Sequence, residues 1–171
     1  HEEYEYDESG KRIKYIEYDP AGGVSKIEEY DKNGNAVKVV EYDNDGRMSI
    51  YGEYENEYDA NGKMIQRITY DFAGTRRGYE EYGYDENGKE IKRLSAQYDA
   101  DGKRTDYQEK AYEYDEKGNM TKALSYDADG IMLDQKEYQY QYDEIGNLIR
   151  RTEDGICRYS AEYTYAFVGD R

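Results

Sequence analysis

Tyr42-Asp43-Asn44-Asp45-Gly46-Arg47-Met48 contains one of eleven occurrences of Tyr-Asp, two variable residues and Gly. The others begin at Tyr6, Tyr18, Tyr30, Tyr58, Tyr70, Tyr84, Tyr98, Tyr114, Tyr126 and Tyr142. Their spacings run 12, 12, 12, 16, 12, 14, 14, 16, 12 and 16 residues, all even. A β-strand alternates faces with period two, so adding two residues lengthens it without turning it over. A helical repeat has no such reason to vary by two. The chain therefore reads as all-β.

Asp-x-x-Gly suits a three-residue hairpin loop, with Gly in the left-handed position of a bulge and Asp bonding backbone N–H groups further on. The structural turn residues are then Asp43 and Gly46, Asp59 and Gly62, Asp85 and Gly88, Asp99 and Gly102, and Asp115 and Gly118. In such a loop Tyr42 pairs with Met48, and directly paired residues share a face. Carried along the chain, that rule predicts one face holding 20 of the 24 tyrosines. The other face is predicted to collect glutamates and a thin stripe of Ile13, Val37, Ile65, Ile91 and Ile149.

The pattern predicts about 13 antiparallel strands in a simple meander. Their expected spans are 2–7, 11–19, 23–31, 35–43, 47–59, 63–71, 75–85, 89–99, 103–115, 119–127, 131–143, 147–153 and 156–168. The last turn, Thr152-Glu153-Asp154-Gly155, has the odd spacing of a two-residue hairpin. It should place Cys157, Tyr159 and Tyr163 on the tyrosine face. The unequal strands shear the sheet steadily in one direction, and shear sets strand tilt in a rolled sheet. The expectation is a single β-repeat domain over 1–171, with repeats over about 4–150 and a capping hairpin over about 147–168. It is expected to roll into a barrel-like or spiral sheet with a tyrosine-rich inner face. Strand 156–168 should close on the N-terminal strands or pair with another chain, because unpaired edges invite association.

Composition narrows the function classes. Net charge is −16, which disfavours nucleic acid and anionic membranes as partners. A glutamate-rich outer face also disfavours membrane insertion as a barrel. His1 is the only histidine and Cys157 the only cysteine. A Cys-His or Ser-His-Asp arrangement therefore has little to stand on, and the chain is expected not to be an enzyme. Asp127-Ala128-Asp129-Gly130 resembles part of a calcium loop, but Ser125 and Lys136 occupy two of the ligand positions an EF-hand requires. Turn chemistry accounts for the acids, so neither metal nor cofactor is expected. The tyrosines carry the main choice. They either pack across strands or stack sugar rings, with Tyr112, Tyr114, Tyr138, Tyr140 and Tyr142 the candidate ligand-binding set, because their strands exceed the shortest repeat.

Tyr114-Asp115-Glu116-Lys117-Gly118-Asn119-Met120 and Tyr142-Asp143-Glu144-Ile145-Gly146-Asn147-Leu148 resemble units of the YD, or Rhs, repeat family. The resemblance covers about residues 4–150. It implies β-strips of the kind found in bacterial polymorphic toxins, insecticidal toxin complexes, wall-associated proteins and teneurins, and hence a secreted or cell-surface setting. Most units here lack the family's Arg after the turn Gly, Arg47 being an exception. Encapsulation and self-cleavage are not carried over. The expected function is a non-enzymatic β-scaffold, a structural or protein-interaction module. The alternative is a carbohydrate-binding module, with a protein or a neutral glycan at the cell surface as partner.

Overall fold

The computed structural model describes residues 1–161. Each repeat Asp closes its own turn. Asp43 Oδ1 accepts the N–H groups of Asp45 and Arg47, both at 2.9 Å. Its main-chain N–H donates to Arg47 O at 2.8 Å, and its carbonyl accepts the Gly46 N–H at 2.9 Å. Gly46 sits at φ 73°, and Gly62, Gly88, Gly102 and Gly118 lie between 76° and 82°. A Cβ at Gly102 would meet nothing within 4 Å, so replacement there isolates the backbone effect. Gly102→Ala should cost about 1 kcal/mol in a urea unfolding measurement. An unchanged midpoint would show that the turn does not depend on glycine. Gly52 differs in kind: a Cβ there would stand 2.5 Å from the Tyr54 hydroxyl, which makes it a packing position.

The strands are β1 Glu2–Tyr6, β2 Arg12–Tyr18, β3 Val24–Tyr30, β4 Ala36–Tyr42, β5 Met48–Tyr58, β6 Met64–Tyr70, β7 Arg76–Tyr84, β8 Glu90–Tyr98, β9 Arg104–Tyr114, β10 Met120–Tyr126, β11 Met132–Tyr142, β12 Leu148–Glu153 and β13 Ile156–Ser160. They form one 13-stranded sheet in sequence order. The chain divides into two compact units, His1–Gln108 and Glu109–Arg171. Of the strand 156–168 expected to close on the N-terminal strands, Ile156–Ser160 is described as β13. Residues 162–168 of the expected closing strand lie outside the described residues. The final turn has Asp154 at φ 48° and Gly155 at φ 77°, both positive as a type I′ turn requires.

Tyr42 does pair with Met48, but the next rung joins Glu41 to Ile50 and skips Ser49. The same one-residue shift follows the turn tyrosine in each repeat hairpin whose ladder is described, as at Tyr30↔Ala36 followed by Glu29↔Lys38. This bulge reverses parity once per repeat and overturns the single tyrosine face. In the first unit, Tyr18, Tyr42, Tyr51, Tyr70, Tyr79 and Tyr98 share one face. Tyr4, Tyr6, Tyr15, Tyr30, Tyr54, Tyr58, Tyr82 and Tyr84 share the other. Turn tyrosines thus alternate faces hairpin by hairpin. The bulge residues include Ile13, Val37, Ile65 and Ile91, so the apolar stripe lies on the faces of its turn tyrosines and not opposite them. The last hairpin shifts as well: Glu153 pairs with Ile156 and Arg151 with Tyr159, which puts Ile156, not Cys157, on the face of Tyr159.

With tyrosines and glutamates on both faces, burial is shallow. Among the described residues Val40 and Ala96 are the buried hydrophobic ones, and no side chain is fully buried. Charge pairs fill part of each face, as where Lys26 reaches Glu28 of its own strand at 2.9 Å and Glu41 across the ladder at 3.5 Å.

Candidate functional site

Unequal strand lengths create the sites. β5 pairs with β4 only as far as Glu53↔Lys38, leaving 54–58 beyond that ladder. β7 extends past β6 over 82–84, and β11 past β10 over 138–142. Each overhang ends in a turn tyrosine that reaches toward the turn or strand start two strands earlier. Tyr84 Oη donates to Met64 O at 2.8 Å, and Tyr140 Oη donates to Met120 O at 2.9 Å. Asn119 Nδ2 donates to Tyr142 Oη at 2.7 Å and to Asp115 Oδ2 at 2.9 Å. Lys117 Nζ stands 3.6 Å from the Tyr142 ring centroid.

The β5 overhang makes the densest network. Tyr58 Oη donates to Asp31 Oδ2 and accepts from Asn35 Nδ2 at 2.9 Å. Asn56 Nδ2 donates to Asp31 Oδ2 at 3.2 Å and to Ala36 O at 3.1 Å, while Arg67 Nε at 3.0 Å fixes the amide oxygen. Burial pushes the Asp31 carboxyl up, but the bonds from Tyr58, Asn35, Asn56 and Asn33 outweigh it and hold the group below its ordinary range. Burial and the bond to Asp31 push the Tyr58 phenol up. Beside this network lies a notch of about 550 Å³, lined by Asp31, Lys32, Asn33, Val37, Asn56, Tyr58, Asp59, Ala60 and Gly62.

The structure places Tyr112, Tyr114, Tyr138, Tyr140 and Tyr142 on one face of the second unit, opposite Tyr126, and all five are half-buried. The hydroxyls of Tyr140 and Tyr142 bond within the sheet. The turn pairs Asp43/Gly46, Asp59/Gly62, Asp85/Gly88, Asp99/Gly102 and Asp115/Gly118 each bond the glycine N–H to the Asp carbonyl. Sequence reasoning did not single out Asn35, Asn56, Lys63 or Asn119. For Asn35, Lys63 and Asn119 the usable signal was a polar residue directly after the turn Gly in a repeat followed by a longer strand; Asn56 carries no such signal. Among the described residues, no group of three or more His, Cys, Asp or Glu could hold a metal ion. No described helix is long and apolar enough to cross a membrane.

No family model and no curated protein matches this chain. Among solved structures it is similar to a chain of a mutant Tc holotoxin pore from Photorhabdus luminescens, at 16% identity and a TM-score of 0.43. That alignment covers 89% of this chain and 9% of the other, so the chain spans under a tenth of that protein's length.

Proposed function

We propose that the chain is a non-enzymatic YD-type repeat strip that serves as a structural or protein-interaction scaffold of a secreted or cell-surface protein. One observation carries this reading: the hydroxyls of the overhanging tyrosines are bonded to turns and strand starts two strands away, at Tyr58, Tyr84, Tyr140 and Tyr142. They brace one hairpin against the next. The secreted setting comes from the repeat resemblance, and the acidity agrees with a soluble strip.

Carbohydrate binding is the second reading, favoured by five half-buried tyrosines on one face of the second unit. Tyr140→Phe separates the two. It strands the Met120 carbonyl, so stability should fall by about 1 kcal/mol, with no signal on a neutral-glycan array before or after. Array binding by the parent chain, lost in Tyr138→Ala at unchanged stability, would transfer the function to the sugar reading.

A further inference from the structure

The three overhangs differ in one respect. At two of them the earlier turn places a lysine on the overhanging tyrosine. Lys63 Nζ stands 4.8 Å from the Tyr84 ring centroid and donates to Gly88 O. Lys117 Nζ stands over Tyr142. Lys63 is the first residue after its turn glycine, and Lys117 the last before its own. At the third overhang those two positions are Asn35 and Asn33. Among the described residues no cation of the chain stands over the Tyr58 ring, and this is the overhang beside the 550 Å³ notch.

We propose that this notch binds a primary ammonium group, in the manner in which the sister overhangs hold their own lysines. The bonds to Asp31 and Asn35 fix the Tyr58 ring before a ligand arrives, which lowers the ordering cost of binding. An aromatic ring next to carboxylates attracts a desolvated ammonium. Asp31 and Asp59 against Lys32 leave the charged lining with one excess negative charge. The volume falls within the range of small-molecule sites. The chain's net charge of −16 raises the local concentration of cations. The site requires no catalytic step and stands whether or not the chain is a scaffold.

Titration with Nα-acetyl-lysine methylamide, followed by amide NMR, tests this. Saturable shifts are expected at the Asn35 and Asn56 side-chain amides, with none from the Nε-acetylated counterpart. Cadaverine run alongside distinguishes a free diamine, if it binds more tightly, from a lysine side chain, if it binds more weakly. Asn33→Lys places a cation at the position of Lys117 and should weaken binding at least about fivefold. Equal shifts from the acetylated compound, shifts spread over every turn, or undiminished binding by Asn33→Lys would each overturn the assignment.

Discussion

Raising the pH past about 10 should unfold this protein as its tyrosines are forced to ionise. The phenols of Tyr18, Tyr51 and Tyr70 are raised chiefly by donating to Glu3, Glu53 and Glu55, with burial adding to the effect. Tyr4 is pushed up to about 12 by its bond to Glu2, then by burial and the Glu2 charge. For Tyr30, Tyr58, Tyr79, Tyr82, Tyr84 and Tyr140, burial is the first cause. A folded pKa above the unfolded value means that the native state holds its protons longer. That contribution is complete below the unfolded pKa and is lost as pH rises through the folded values. Lys26 and Lys136, raised by bonds to Glu28 and Glu153, act in the same direction. Each new phenolate adds to a net charge already at −16. Tyrosinate absorbance and circular dichroism should therefore change together, in one cooperative step above the ordinary tyrosine range. Ionisation of these tyrosines near pH 10 with the β signal intact would contradict this.

Val40→Asp should be the most damaging single change in the first unit, at about 3 kcal/mol or more. Val40 is 6% exposed, between Ile27 of β3 and Tyr51 of β5 on the same face. A carboxylate there has no cation directly across either ladder, and the face offers little water. With so few buried hydrophobic residues, the loss has nothing nearby to offset it. Ile50 lies one rung away on the opposite face and is 51% exposed. The same substitution at Ile50 should cost well under half as much. Denaturant midpoints of the two variants make the comparison, and equal losses would show that Val40 is not a core position.

Several features were legible in the residues themselves. The tandem Tyr-Asp-x-x-Gly units set the number, order and approximate ends of the strands, because each turn is closed by bonds within its own few residues. Asp43 and Gly46 need no distant partner to form theirs. The longer strands likewise announced that Tyr138, Tyr140 and Tyr142 would pass their neighbour, although Tyr58 and Tyr84, which do the same, were not singled out. Face was another matter. The even spacing was correct, but one bulge per repeat, at residues such as Val37 and Ser49, reverses parity and distributes the tyrosines over both faces. A bulge adds one residue to its strand, and nothing in the even spacing marks where it falls. It depends on which backbone groups of two strands meet, and that is decided in the paired sheet. The notch beside Tyr58 has the same origin: Asp31, Asn35 and Asn56 lie up to 25 residues apart. Only the register of β4 against β5 brings Asn56 and Tyr58 to the turn at Asp31. The repeat fixed local turns through local bonds, and tertiary pairing decided which side chains share a surface.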